Sequence, residues 1–298
     1  MSLSGPRPAR RRWFLSLLAA LAVAVSSVVV LTGQAAAGDA RVRVMTFNIR
    51  LDADAPPKDW ASRLPLVKQL MRKHRPDLLG IQEGLWHQMR GLDGVLPAYD
   101  WVGMGRQGGT RDEFSAIFYR KDRFEVLDFD HFWLSDTPNV IGSATWGNKI
   151  TRMVTWAKFR DRRTGSVFYH VNTHFDHQSE NARVKSAQLV LERARAFEKD
   201  VPVIFTGDFN AAAKKTQPYA ILTGPDAFAD TWETARDHGP EIGTFGRWTT
   251  PVPGGDRIDW ILSRGRVTTD WSEIDPFQKD GLYPSDHYPV VAHVKIGK

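Results

Sequence analysis

The chain of 298 residues contains no cysteine. That single absence excludes disulfides, thiolate-bound zinc and a cysteine nucleophile. The Gly-x-Ser-x-Gly turn that presents a catalytic serine is missing as well. From Gly38 onward there is no low-complexity linker, run of like charge or internal repeat to mark an inner boundary. The one long uncharged, mostly apolar run lies near the start, from Trp13 to Leu31.

That run follows Arg10-Arg11-Arg12 and precedes Ala35-Ala36-Ala37. The order of basic residues, apolar stretch and small-residue cleavage site is that of an export signal. Arg11-Arg12-Trp13-Phe14-Leu15 reads as the twin-arginine variety, which carries folded proteins. Residues 1–37 are therefore expected to be a signal peptide and 38–298 the mature domain, secreted. The alternative is an uncleaved membrane anchor. The first 37 residues hold four arginines and no acid, so the mature chain keeps only +2 of the total +6. A charge that small gives little support for a nucleic-acid surface. The remaining 261 residues suit one large α/β domain or two small ones.

What is there is a repeated grammar: an apolar strand that ends in a polar cluster. Val203-Ile-Phe-Thr-Gly-Asp208-Phe-Asn210 is the clearest case. Arg41 to Phe47 alternates and reaches Asn48, Leu78 to Gln82 reaches Glu83, and Val167 to Val171 reaches Asn172-Thr173-His174. Further strands are read at Phe114–Tyr119, Phe124–Phe129, Val154–Phe159, Arg257–Leu262 (carrying Asp259) and Tyr288–Val294. Helical periodicity covers Trp60–Lys73, Trp86–Leu92 and Asn181–Lys199, with Asn181 as the expected cap of the last. Hairpins alternating with crossover helices predict an α/β sandwich of two mixed sheets. Asp286-His287 precedes its strand, and an antiparallel last strand would bring it to the same edge as the other clusters.

That edge would collect oxygen-rich groups suited to Mg2+ or Mn2+, at Asn48, Glu83 and Asp286. His174, Asp208, Asn210, Asp259 and His287 supply acid–base and hydrogen-bonding groups, with Asp259 placed to orient His287. The set suits metal-assisted attack of water on a phosphate ester. Asn172, Arg183 and Arg152 are candidate substrate-binding residues. Trp146 with Arg152 is expected in surface packing or at the cleft, Glu113 as a solvated loop acid, and His170 as structural.

Six motifs in order carry a family resemblance: Thr46-Phe47-Asn48-Ile49-Arg50, Ile81-Gln82-Glu83, Asn172-Thr173-His174-Phe175-Asp176-His177, Gly207-Asp208-Phe209-Asn210, Arg257-Ile258-Asp259-Trp260 and Ser285-Asp286-His287-Tyr288-Pro289-Val290. They resemble the endonuclease/exonuclease/phosphatase superfamily across essentially the whole mature chain. The resemblance implies the DNase I-like fold, a four-layer sandwich of two β-sheets flanked by helices. It implies a metal-dependent phosphoric ester hydrolase, with Glu83 as main metal ligand beside Asn48 and Asp286. Asp208 and Asn210 would activate water and orient phosphate, His287 and Asp259 form a dyad, and His174 attend the phosphate or leaving group. Asn-Thr-His-Phe-Asp-His departs from the pattern of abasic-site repair nucleases. The expected activity is phosphodiester hydrolysis on nucleic acid. A phospholipase C-like enzyme acting on phospholipid headgroups and a phosphomonoester hydrolase are alternatives, and a catalytically silent binding module is the rival of another class. Nothing in the sequence calls for a protein partner, and a monomer is expected.

Overall fold

The structure, a computed structural model, describes residues 38–297. The expected signal peptide, 1–37, lies outside the described residues. In chain order the elements are β1 (Ala40–Asn48), α1 (Trp60–His74), β2 (Leu78–Gly84), α2 (Trp86–Val95), β3 (Tyr99–Val102), β4 (Phe114–Arg120), β5 (Phe124–Trp133), β6 (Met153–Asp161) and β7 (Val167–His174). They continue with α3 (Glu180–Arg195), β8 (Val203–Asp208), α4 (Gln217–Leu222), β9 (Ala229–Asp230), α5 (Thr231–Thr234), β10 (Ala235–His238), β11 (Asp259–Arg264), β12 (Val267–Ile274) and β13 (Val290–Ile296).

Two sheets result, ordered β10-β12-β13-β1-β2-β4-β3 and β5-β6-β7-β8-β11-β9. Both are mixed: β1 runs parallel to β2 and β7 to β8, while β13 is antiparallel to β1 and β11 to β8. The period-two alternation of each strand assigns its two faces to different cores. Val42 and Val44 of β1 join Ile204 of β8 and Ile261 of β11 between the sheets. Met45 and Phe47 turn outward and pack with Val67 and Leu70 of α1 and Met89 of α2. On the other side Val203 and Phe205 pack with Val190 and Leu191 of α3 and Leu222 of α4. Three apolar layers between four structural ones are the sandwich that the sequence predicts.

Some local expectations change. The cap of α3 is Ser179, whose extended backbone lets its hydroxyl accept from the Ala182 N–H. Asn181 instead donates to the Trp146 carbonyl, tying the loop before β6 to the helix. β3 and β12 are strands that the sequence reading passed over. Gly103-Met-Gly105-Arg-Gln-Gly108 spells a dinucleotide-type glycine pattern. It joins β3 to β4, however, and opens no helix.

Candidate active site

The site is where the layer between the sheets changes from apolar to polar. Along β7, Phe168, His170, Asn172 and His174 share one face, and along β8 so do Ile204, Thr206 and Asp208. Only Phe168 and Ile204, at one end, belong to the apolar core. In register, His174 lies beside Asp208 and Asp208 opposite Asp259. β13 is antiparallel to β1, so Asp286 and His287, just ahead of it, arrive next to Asn48, and the Ser285 hydroxyl donates to the Asn48 carbonyl at 2.7 Å. The expected gathering of clusters at one edge is thus explained by register.

Asn48 lies behind the cleft and organises it. Its amide donates to Glu83 Oε1 at 2.9 Å and Asp208 Oδ2 at 3.0 Å. Glu83 Oε2 accepts from the Leu51 N–H at 3.0 Å. His287 Nδ1 meets Asp259 Oδ2 at 2.9 Å, and its Nε2 stands 3.8 Å from Asp208 Oδ2. Asn210 donates to His174 Nε2 at 3.0 Å and to the Phe175 carbonyl at 3.1 Å, while its own N–H is held by Asp208 Oδ1. Arg50, Glu83 and Asn210 all have positive φ (57°, 63° and 47°). For the arginine and glutamate this is backbone strain held at the site by its surroundings.

In front of these groups lies a cleft of about 290 Å³, lined by Arg50, Glu83, Glu113, Arg152, His174, His177, Asp208, Asn210, Phe245, Asp286 and His287 among others. Its electrostatics come from crowded carboxylates in a dry place. Burial, then Asp259, push Asp208 up to about 7 against the pull of His287, Asn48 and the Asn210 N–H. Burial also raises Asp286, with Glu83 adding to it and His287 and Arg50 opposing. For Glu83 burial acts upward, yet the Asn48 bond, His287 and the Leu51 N–H leave it below its ordinary value. Burial works against a charged His287, but Asp259, Asp208 and Asp286 outweigh it and hold the ring up to about 10. Burial, with Arg152, Arg106 and His287, keeps His174 well below 6.5 and therefore neutral.

Carboxylates that raise one another, in a site rich in oxygen donors, fit a hard divalent cation. Among the described residues two compact groups of ligand atoms occur, Glu83 with His174 and Asp208, and Asp208 with Asp259 and His287, each within 4.8 Å. Asp286 belongs to neither but lines the same cleft.

Two expected substrate residues are placed elsewhere. Asn172 shares its face with His174 but sits one pair deeper. Its amide donates to the Ile81 and Ala116 carbonyls, and its oxygen accepts from Gln82 and Thr206, so it ties the sheets together. Arg183 pairs with Glu180 and the Asp176 carbonyl, because a one-turn spacing on α3 brings the pair together. Arg152 does line the cleft. Glu113, expected as a solvated acid, is nearly buried there instead and takes both guanidinium arms of Arg106 at 2.9 and 2.8 Å. Opposite charges flanking a glycine loop were its only sequence signal. Arg63 was missed altogether: fully buried in α1, it donates to the carbonyls of Ile49, Arg50 and Pro284 and so fastens two site loops together. His170, as expected, is buried in the interior and meets the Thr206 hydroxyl at 2.9 Å.

The model of the Endonuclease/Exonuclease/phosphatase family matches residues 45–287. A crystal structure of an endonuclease/exonuclease/phosphatase from Bacteroides vulgatus is 36% identical, covers 86% of this chain and 99% of its own, and superposes with a TM-score of 0.82. The mannosyl-6-phosphatase of Bacteroides thetaiotaomicron is 31% identical over 85% of this chain and 99% of its own, with a TM-score of 0.78. D. rerio TDP2, solved with single-strand DNA product, shares the fold with a TM-score of 0.69 at 20% identity, over 86% of this chain and 99% of its own.

Proposed function

The chain belongs to the endonuclease/exonuclease/phosphatase family, and from that premise we propose that it is an exported, divalent-metal-dependent phosphoesterase acting on phosphomonoesters carried by sugars. The observation that carries the substrate class is the mannosyl-6-phosphatase, matched at 31% identity over 99% of its length. The small mature charge agrees with it, since a nucleic-acid enzyme gains from a strongly basic face. Export rests on the signal-like residues 1–37. Replacing Arg11 and Arg12 by lysine should keep the protein inside the cell; unchanged export would remove the twin-arginine route.

Glu83 and Asp286 would hold the cation, with Asn48 fixing Glu83. A Mg2+ or Mn2+ ion there would neutralise charge on the phosphate oxygens. The remaining chemistry belongs to side chains. Asp208, which titrates near neutrality, takes a proton from water as the water oxygen bonds to phosphorus. The ester P–O bond breaks, and the leaving oxygen takes its proton from solvent. His287, charged and steered by Asp259, offers Nε2–H to a phosphate oxygen, and neutral His174 donates to another.

Nucleic acid, the substrate expected from the sequence, stays as the second reading, because the same fold carries single-strand DNA product in TDP2. The test is hydrolysis of p-nitrophenyl phosphate, a hexose 6-phosphate, bis-p-nitrophenyl phosphate and single-stranded DNA, with Mg2+ and with EDTA. Metal-dependent release of phosphate from the two monoesters supports the proposal. Cleavage confined to the diesters replaces it with the nuclease reading, and activity that survives EDTA removes the metal.

A further inference from the structure

Against α1 lies a groove of about 470 Å³, larger than the cleft. Small-molecule sites run from about 300 to 1,000 Å³. Three loops build both spaces. The chain after β1 gives Arg50 and Leu51 to the cleft, then Pro57 and Lys58 to the groove. The chain before β13 gives Leu282 and Tyr283 to the groove, then Asp286 and His287 to the cleft. The chain before β11 gives Phe245 to the cleft and Trp248 to the groove. Between those two, the Gly246 and Arg247 N–H groups both donate to the Asp286 carbonyl, at 2.8 and 3.0 Å, which pins the loop where it passes from one space to the other. Three residues of chain reach at most about 11 Å, close to the length of a disaccharide.

The groove has the chemistry of a sugar site. Leu66, Leu282 and the Trp248 indole give it an apolar floor, and Gln69, Lys279 and Asp280 place an amide, an ammonium and a carboxylate around it. Among the described residues none of these three pairs with another side chain. A hexose ring has the matching form, with an apolar C–H face and a rim of hydroxyls that donate and accept. Trp248 is fixed in its place. Lys58 and Arg63 stand 5.4 and 5.7 Å from its ring centroid, and its backbone is held at a φ of 63°, a costly value for a bulky residue. A nucleic-acid strand fits less well, because it calls for a row of cations along its phosphates, and here Asp280 offsets Lys58 and Lys279.

We propose that this groove is a second sugar subsite. It binds a hexose unit next to the one whose phosphate occupies the cleft, so the substrate is a phosphorylated oligosaccharide rather than a free hexose phosphate. This rests on the sugar-phosphomonoesterase reading above and deepens it. The unit in the groove is remote from the breaking bond, and its contacts are the same before and during the reaction. They therefore lower KM and leave kcat as it is.

The experiment compares the Mg2+-loaded wild type with Trp248→Ala, which removes the floor, and Gln69→Trp, which fills the groove from α1 and leaves Trp248 and Arg63 in place. The substrates are mannose 6-phosphate and a mannobiose phosphorylated on one 6-hydroxyl. Both variants should raise KM for the disaccharide about tenfold at unchanged kcat, and leave both constants for mannose 6-phosphate within about twofold. Equal effects on the two substrates, or none on the disaccharide, overturn the subsite. Saturation-transfer NMR with unphosphorylated mannotriose tests the groove without catalysis. Signal in the wild type that both variants lose supports the proposal. No signal in the wild type, or a signal that both variants keep, overturns it. Single-stranded DNA that gives the signal in place of mannotriose hands the groove to nucleic acid and overturns it too. A wild type that hydrolyses neither sugar phosphate overturns the phosphomonoesterase reading, and the mannotriose signal then still judges the groove.

Discussion

Arg123 and Arg152 occupy matching places at opposite ends of the sandwich. Each immediately precedes a strand of the second sheet, β5 and β6, and those strands are antiparallel. Both side chains are nearly buried, 6% and 4% exposed. At the closed end Arg123 reaches Asp77 at 2.9 Å, Asp161 at 2.7 Å and the Arg41 carbonyl at 2.7 Å, and so cross-links the two sheets. At the open end Arg152 has one histidine nitrogen, Nδ1 of His177. The same residue type thus does two jobs. Where the charges cancel, the end of the sandwich is sealed; where they are left uncancelled, with raised carboxylates and a neutral His174 beside them, the end is kept ready for a ligand.

The sharpest test separates activity from stability. His287→Ala removes both a charged donor and the partner of Asp208, so we expect turnover to fall on the order of 10,000-fold. Tm should fall as well, because the buried Asp259 and Asp208 lose the charge beside them, so turnover is compared on folded protein. A loss within about tenfold would show that His287 takes no part in the chemistry. Arg123→Met is its counterpart. It strands Asp161, which has no exposure, and leaves Asp77 without its charge partner. The expected cost is about 3–5 kcal/mol, a drop in Tm of roughly ten degrees, with kcat of the folded enzyme unchanged. A fall in kcat without a fall in Tm would mean that the ends are not separate.

The same division explains what could be read from the sequence. Residues at the ends of long apolar strands were legible: Asn48, Glu83, His174, Asp208 and Asp259 follow from alternation and from the paired register. β12 was not, because Thr269 and Ser272 are buried polar residues and a bulge between Thr269 and Trp271 breaks its alternation. Asn172 was misplaced for a related reason. Its face was right, but depth along a strand depends on where the partner strands end, and sequence pattern is silent on that. Glu113 and Arg63 act through loop and carbonyl geometry, which leaves almost no mark in residue order. The polar ladder behind the site also forces one glycine: a Cβ at Gly80 would lie 2.1 Å from Thr206 Oγ1 and 2.5 Å from Asn172 Oδ1.

Between the two ends stands His170, and it gives the pH test. Burial alone pushes its pKa down to about 3. A histidine held neutral in the fold binds fewer protons than the unfolded chain does between about 6.5 and 3. Stability from this source is therefore complete above about pH 6.5 and declines as pH falls toward 3, at up to about 1.4 kcal/mol per unit. By pH 5 the loss is about 2 kcal/mol. His170→Gln cannot take up the proton while keeping a polar group near Thr206. Its stability measured by urea unfolding should fall less between pH 7 and 5 than that of the wild type, by that amount. Parallel curves for the two proteins would show that His170 is accessible to protons in the fold.

The smallest expected effect is the one that tests the comparison itself. Arg152→Met exchanges a buried, unpaired guanidinium for a flexible apolar side chain that fills much of the same space. Arg152 is disfavoured by burial, and the field of Glu113, Glu83 and Asp208 repays only part of that, since none of them is in hydrogen-bonding contact with it. Losing the 3.2 Å bond to His177 costs something too. The balance should be a gain of about 1 kcal/mol, read as a Tm that rises by a few degrees in the absence of phosphate. The sign is opposite to that of Arg123→Met although the substitution is the same. A site residue whose removal strengthens the fold is kept for its ligand rather than for the fold. If Arg152→Met instead loses as much stability as Arg123→Met, then Arg152 is satisfied where it stands, the two ends are alike, and no space for an anion remains beside it.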